Sequence, residues 1–267
     1  MPERKPEQPG QPEQPGQPEQ RERLDRLLVR RGLYESRARA ADAIRRGAVR
    51  VAGAPAKKPG QMVAADAPIE VADAAGGYVC RAALKLLAAI EAEPALREKI
   101  PGAVALDVGA STGGFTQVLL EHGAEEVHAV DVGRGQLHES LRADPRVISL
   151  EGVNARALDA GRIPKPVDVI TADVSFISLK KALAAALALA ARDAMLAALV
   201  KPQFEAGPAH VGKGGIVRDE AVRRQVLRDV QDWLQARGWR VLRALPSPIT
   251  GGDGNVEYLL VARKVSA

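Results

Sequence analysis

A carboxylate followed by a glycine turn, Asp107-Val-Gly109-Ala-Ser111-Thr-Gly113-Gly114-Phe115, is the stretch of this chain best suited to hold a small molecule. An apolar run reads as a buried strand that delivers Asp107. The glycines follow where the backbone must turn sharply and lie close to a ligand. A second apolar run, Val127-His-Ala-Val, ends in Asp131, about the distance downstream at which nucleotide-binding α/β folds place the acid that holds a ribose. Spacing then separates the cofactors. Dinucleotide enzymes use Gly-x-Gly-x-x-Gly, with a helix N-terminus facing the pyrophosphate, whereas the order here is Asp-x-Gly-x-x-x-Gly-Gly. A carboxylate in that place repels a pyrophosphate but can hold the ammonium of a cofactor with an amino-acid tail. The turn therefore implies S-adenosylmethionine. Glycines serving packing alone would leave Asp107 and Asp131 unexplained.

Four further charged residues stand where a solvated surface does not need them. Lys85 lies between Leu84 and Leu86, Asp173 ends an apolar run from Val167, Lys201 ends Leu196–Val200, and Glu257 sits in Asn255-Val-Glu-Tyr-Leu-Leu. Each alone reads more readily as one end of a salt bridge. Three at strand ends or in a terminal strand of one sheet, with a lysine on the entry helix, point instead to a shared site.

The elements that must position these residues alternate from Tyr78 onward, the signature of a mostly parallel sheet. Strands are expected near 103–108, 126–131, 146–151, 167–172, 195–201, 239–245 and 256–263. Helices are expected near 82–93, 113–122, 136–143, 178–191 and 218–237. This is an α/β fold with a seven-stranded, doubly wound, Rossmann-like sheet whose last two strands form an antiparallel hairpin. Such sheets bind ligands at the strand carboxyl ends, where Asp107, Asp131, Asp173 and Lys201 fall.

A smaller α+β unit precedes it. Leu24, Leu27 and Leu28 give one helical face, and Gly32 stops it. Ser36 caps a second helix, Arg37–Arg46, with Ala40, Ala41 and Ile44 inward and Arg37, Arg39, Arg45 and Arg46 outside. Short strands follow at Val49–Val51 and Ile69–Val71, with Lys57-Lys58 on the turn between them. Residues 21–60 carry twelve Lys/Arg against four Asp/Glu, which accounts for all of the chain's net charge of +5. A basic excess confined to one small unit suits a polyanion partner. The organisation expected is a Pro/Gln-rich disordered tail (1–20), the basic unit (21–71), a linker (72–77) and the large domain (78–267).

Residues 23–70 resemble the alpha-L RNA-binding module of a small-subunit ribosomal protein, tyrosyl-tRNA synthetases and pseudouridine synthases. Arg23-Leu-Asp-Arg26-Leu-Leu-Val-Arg30-Arg-Gly and Ser36-Arg37-Ala-Arg39-Ala carry that resemblance. It implies structured RNA as partner, held by Arg23, Arg26, Arg30, Arg37, Arg39, Arg45, Arg46, Lys57 and Lys58 through shape and phosphate contacts. Lys85-Asp173-Lys201-Glu257, in this order along such a sheet, resembles RNA ribose 2′-O-methyltransferases of the FtsJ type. The joined architecture resembles the TlyA/haemolysin A family, which methylates cytidine 2′-hydroxyls in ribosomal RNA. Matching blocks include Asp107–Phe115, Asp131-Val-Gly-x-Gly-Gln-Leu, Asp173-Val-Ser-Phe-Ile-Ser, Lys201-Pro-Gln-Phe-Glu, Lys213-Gly-Gly and Ser247-Pro-Ile-Thr-Gly.

The resemblance implies a catalytic set of Lys85, Asp173, Lys201 and Glu257, with Lys201 at the 2′-oxygen beside Lys85, and Asp173 and Glu257 orienting the two lysines and offsetting their charge. It also implies cofactor contacts from Asp107, Gly109, Ser111, Gly113, Gly114, Phe115, Asp131, Val132 and Asn154, with Asp107 at the ammonium directly or through water. The partner implied is ribosomal RNA or a ribosomal subunit. A catalytically silent RNA-binding protein that keeps the fold is the alternative. A pore-forming haemolysin is the other, and it needs a secretion signal and a membrane-active segment.

Residues 1–20 hold no apolar segment and one cysteine, Cys80, suits a reducing cytosol, so a cytoplasmic protein is expected. The nearest stretch to a membrane span, Ala182–Val200, carries Arg192 and Asp193 near its middle and reads as a helix turning into a core strand. Four histidines without ligand spacing imply no metal. Gly207–Gly214 nearly spells a phosphate-binding loop, but it lacks the Ser/Thr after Lys213 and is expected to form a lid near the RNA. Two departures from the family pattern stand out. Cys80-Arg-Ala82-Ala83 replaces Ser-Arg-Gly-Gly, with methyl groups expected to alter the backbone's approach to RNA or the linker, and Gly252-Asp253 occupies a usually basic position.

Overall fold

The computed structural model describes residues 20–251 and 254–265. The expected disordered tail up to residue 19 and the Gly252-Asp253 departure lie outside the described residues. The chain divides between Ala74 and Ala75 into two compact units.

The first unit comprises β1 (Arg21–Arg23), α1 (Leu24–Arg30), α2 (Arg37–Arg45), β2 (Val49–Val51), β3 (Ala54–Pro55), β4 (Met62–Ala64) and β5 (Ile69–Val71). β1 pairs with β4, and β2 lies between β3 and β5, all antiparallel. Leu24, Leu27 and Leu28 are fully buried against α2, whose Ser36 hydroxyl accepts the Arg39 N–H at 3.3 Å and caps the helix. The inward face of α2 is Ala40, Ala43 and Ile44, an i, i+3, i+4 set. Ala41, expected inside, sits one step round the helix and is half-exposed.

Arg46 is the larger correction. Its guanidinium bonds both oxygens of Asp73 at 2.7 and 3.0 Å and Asp42 at 2.8 Å, while the Tyr34 hydroxyl donates to Asp73 at 2.9 Å. Arg46 is thus a strut with a side chain only 16% exposed, not an outward cation. Asp73, expected in a linker, closes the first unit.

The second unit runs α3 (Ala83–Ala92), α4 (Pro94–Lys99), β6 (Val104–Val108), α5 (Gly114–Glu121), β7 (Glu126–Asp131), α6 (Glu139–Arg142), β8 (Val147–Glu151), β9 (Val167–Ala172), α7 (Leu179–Ala188), β10 (Ala190–Val200), α8 (Pro202–Glu205), α9 (Glu220–Gln235), β11 (Trp239–Pro246) and β12 (Tyr258–Lys264). The sheet order is β11-β12-β10-β9-β6-β7-β8, parallel except that β12 is antiparallel to both neighbours. The chain reverses its direction across the sheet between β6 and β9, which places a crevice at their carboxyl ends. Along β10, Met195, Ala197 and Leu199 face the core with Leu86 and Phe115, and Leu196, Ala198 and Val200 face the core with Leu183 and Val230. Both faces of the strand are covered, so it reads as an unbroken apolar run.

Differences from the expected elements have local causes. α6 is one turn long because the Gln136 and Leu137 N–H groups are tied to the Glu151 carboxylate at 2.6 and 3.0 Å, which holds the preceding loop out of helix. α7 stops at Ala188, and β10 starts at Ala190. Its pairing with β9 then skips from Ala190 to Met195, with Asp193 at φ 58° in the bulge. α4 went unforeseen, although Glu93-Pro94 announces it: Pro94 takes the first turn and the Glu93 carboxylate caps the Ala95 N–H. No helix among the described residues is long and apolar enough to cross a membrane.

Candidate active site

At the crevice the strand ends deliver their charges to one place. Asp173 follows β9, Lys201 follows β10, Glu257 precedes β12, and Lys85 reaches in from the first turn of α3. The Lys85 ammonium bonds Glu257 at 2.8 Å and Asp173 Oδ2 at 3.1 Å. Lys201 Nζ lies 2.6 Å from Asp173 Oδ1. That contact is an ion pair without hydrogen-bond alignment, since Oδ1 accepts no aligned bond. The aligned bond from Lys201 goes instead to the Ser175 hydroxyl at 2.9 Å. Burial opposes charge on Lys85, but the carboxylates of Asp173 and Glu257 outweigh it and hold its pKa above the ordinary lysine value. Burial likewise pushes the Asp173 carboxyl up, yet Lys85 and Lys201 on either side bring it below the usual carboxylate value. The site is therefore a neutral cluster of two cations and two anions. Asp173 stands against both lysines, Lys85 on one oxygen and Lys201 on the other.

Beside this cluster opens a cavity of about 450 Å³, within the usual range for small-molecule sites. Gly109, Ser111, Asp131, Val132, Asn154 and Asp173 all line it. Gly109 takes φ +84°, and a Cβ there would stand 2.9 Å from the Asp173 carbonyl oxygen, so glycine is required by both conformation and space. The Asp131 carboxylate accepts the Ser111 N–H at 2.8 Å and the Gly133 N–H at 2.7 Å. Each oxygen keeps a lone pair for a vicinal diol. Val132 is 70% exposed and offers an apolar surface at the rim. Asn154 caps the short turn after β8 by accepting the Arg156 N–H at 3.0 Å. A diol-binding carboxylate, an apolar shelf and a close backbone approach fit an adenosyl group. Asp131, Ser111 and Gly109 are the residues that would hold it.

Four expected cofactor residues lie elsewhere. Gly113 abuts Leu137 and Leu141, Gly114 abuts Cys80 and Ala83, and Phe115 is buried in the core. All three shape the turn from beneath. Of the two alanines in this departure from the family pattern, Ala83 is fully buried in the same core and Ala82 is half-exposed.

Asp107 is the fourth. It is fully buried beneath the turn, its oxygens accepting the Thr116 and Thr171 hydroxyls at 2.8 and 2.9 Å. It braces β6 against α5 and β9 and is not among the residues that line the cavity. Burial pushes its pKa up to about 6 from 3.8, with the threonine bonds pulling the other way. That difference costs about 3 kcal/mol when the group is ionised. Because the folded state binds the proton more tightly, the cost is complete above pH 6 and fades as pH falls towards 4. Asp107→Asn removes the charge. Its melting temperature relative to the parent protein is expected to be most favourable at pH 7 and to lose several degrees of that margin by pH 4. A margin independent of pH would contradict a charged Asp107 in the fold.

Ser175, bonded to Lys201, is the residue of this cluster that sequence reasoning did not single out. Its signal was its place two residues after Asp173, in Asp-Val-Ser-Phe.

In the first unit Arg23 and Arg37 both bond the buried carboxylate of Asp25, which they hold well below the usual carboxylate value. Arg30 pairs with Glu22 and Arg39 with Glu35 at the surface. Arg26, Arg45, Lys57 and Lys58 are exposed and have no ion pair among the described residues. These are the cations freest to meet phosphate.

Comparison with known proteins agrees with this layout. Residues 78–264 match the FtsJ-like methyltransferase family, and residues 22–69 match the S4 domain. The chain is therefore a methyltransferase with an RNA-binding module attached. It is 47% identical over 244 residues to the 16S/23S rRNA (cytidine-2′-O)-methyltransferase TlyA of Mycobacterium tuberculosis, covering 91% of this chain and 90% of the relative. It is 39% identical to Hemolysin A of Brachyspira hyodysenteriae, covering 89% of this chain and 98% of the relative. A solved Streptococcus thermophilus structure described as a hemolysin superposes with TM-score 0.72 at 36% identity, covering 92% of this chain and 90% of that one. The chain belongs to the TlyA/haemolysin A family.

Proposed function

We infer that this protein transfers a methyl group from S-adenosylmethionine to the 2′-hydroxyl of a cytidine in ribosomal RNA, in the cytoplasm. One observation supports the reading: Asp173 both lines the cavity and pairs with the two lysines, so the charged cluster borders the cavity whose residues fit an adenosyl group. When bound, the cofactor supplies an electrophilic methyl group on a sulfonium, which needs no further activation. The chain must then align the ribose oxygen and manage its proton. Lys85, with its pKa raised between two carboxylates, stays protonated and fixes the charge of the cluster. Lys201, held by Asp173 and Ser175 at the edge of the cavity, is the group that meets the 2′-oxygen. It first gives one ammonium proton to solvent, and the free amine then accepts the hydroxyl proton as the oxygen takes the methyl group. Glu257 holds Lys85, and Asp173 spans both lysines.

Labelled methyl transfer to ribosomal RNA or subunits, followed by nuclease digestion, tests this. The expected product is 2′-O-methylcytidine. RNA that binds without acquiring label would favour the silent RNA-binding alternative, and label on a base would refute ribose chemistry.

RNA capture rests on the first unit. Changing Arg26, Arg45, Lys57 and Lys58 to alanine is expected to weaken binding and flatten the log–log salt dependence. The slope should change by roughly 0.7–0.9 for each phosphate the variant no longer neutralises. Arg46→Gln should instead destabilise the first unit and leave the salt slope of the folded fraction unchanged. Equal slopes for the fourfold variant and the parent would remove those four cations from the interface.

A further inference from the structure

We propose that Ser175 is a positioning residue for methyl transfer, orienting the Lys201 ammonium toward the cavity. This deepens the reading above and rests on it. A lysine side chain ends in a freely rotating, three-donor group, so charge alone does not aim it. Asp173 attracts Lys201 at 2.6 Å but from a direction that makes no aligned bond. Direction is supplied by the Ser175 hydroxyl, which accepts from Nζ at 2.9 Å. With Cε and that bond fixed, rotation about the Cε–Nζ axis is arrested. The nitrogen's remaining positions are then set relative to the cavity that Asp173 and Ser175 both line.

Ser175 is itself pinned from both sides. Before it, the Asp173 N–H bonds the Val108 carbonyl at 3.1 Å and ties the end of β9 to β6. After it, Phe176 takes φ 63°, an uncommon backbone for a non-glycine residue, with the residue 92% exposed. The Phe176 ring stands 5.3 Å from that of Phe204, and the Glu205 carboxylate accepts the Ser178 hydroxyl and the Leu179 N–H at the start of α7. Phe204 and Glu205 belong to α8, which Lys201 itself opens, so the two segments bearing the serine and the lysine are clasped together. Ser175 is exposed and outside the apolar core, so its hydroxyl is dispensable for folding. Its bond with Lys201 is the interaction a substitution removes.

Ser175→Ala, Ser175→Thr and Lys201→Ala are compared with the parent protein, using ribosomal RNA and labelled cofactor. For Ser175→Ala, kcat is expected to fall about ten- to hundredfold, with KM for RNA and cofactor affinity unchanged. Ser175→Thr, which keeps the hydroxyl, should restore most of the rate. Parent-like kcat in Ser175→Ala, while Lys201→Ala is inactive, would overturn the role of Ser175 alone. So would a threonine variant as slow as the alanine one, or a loss of RNA and cofactor binding that accounts for the fall in rate. An active Lys201→Ala would instead overturn the underlying reading of the site.

Discussion

Lys201→Ala is expected to slow methyl transfer by about 10²–10⁴, the usual contribution of a positioned acid–base group, while cofactor affinity stays where it was. The two halves of this expectation come from different parts of the geometry. The residues that fit an adenosyl group sit on the turn after β6 and at the ends of β7 and β8, and none of them touches Lys201. Nor does the fold depend on the lysine: without it Asp173 keeps Lys85 at 3.1 Å, so no carboxylate is left buried alone. A lost rate with intact binding therefore has one source, the missing amine. Isothermal titration with the cofactor and single-turnover methylation of ribosomal RNA measure the two halves separately. A cofactor affinity that drops in step with the rate would move Lys201 out of the reaction and into the cofactor pocket.

Lys201→Arg sharpens the test. An arginine keeps the positive charge but never releases a proton near neutral pH. If Lys201 acts only as a fixed cation beside the ribose, the arginine variant retains much of the rate. If it accepts the hydroxyl proton, the arginine variant is as slow as alanine. The proton role predicts the second result.

What the sequence disclosed, and what it hid, divides along the range of the interactions. Strands such as Glu126–Asp131 and Val167–Ala172 are covered on both faces, and their mostly apolar runs matched the expected bounds, whereas β10 begins five residues before its expected start. The four charges of the site were legible because strand ends in such a sheet converge by topology, whatever their side chains do. The surroundings of Asp107 were hidden for the opposite reason. Its position before the turn is local, but whether it points at a ligand or under the backbone depends on Thr116 and Thr171, nine and 64 residues away. Arg46 and Asp73 met across 27 residues in the same way, turning an expected RNA contact and an expected linker residue into one internal strut. Ser175 stayed silent because a serine after a strand commonly caps a turn or faces water. Only the arrival of Lys201 from the next strand gives it a purpose.

The charge balance of the cluster leads to the largest expected effect on stability, through Lys85→Met. Methionine is one heavy atom shorter than lysine but close to it in volume, so the change is mainly electrostatic. Asp173 retains Lys201, but Glu257 is 3% exposed on its side chain and Lys85 is the one partner among the described residues to bond its carboxylate. Removing one member of a buried pair typically costs about 3–5 kcal/mol because the remaining charge is stranded. At roughly 2–4 °C per kcal/mol for a unit of this size, the melting transition should fall by about 6–20 °C. Lys85→Met with Glu257→Gln removes both charges at nearly constant volume, and the amide can bond where the carboxylate did. Most of the lost stability should return. Methyl transfer should not, because the double variant still lacks the anchored cation that fixes Asp173 opposite Lys201. A double variant no more stable than Lys85→Met would show that the lysine acts through packing rather than charge. A double variant that regains activity would remove Lys85 and Glu257 from the reaction, leaving Asp173 and Lys201 to carry it with Ser175.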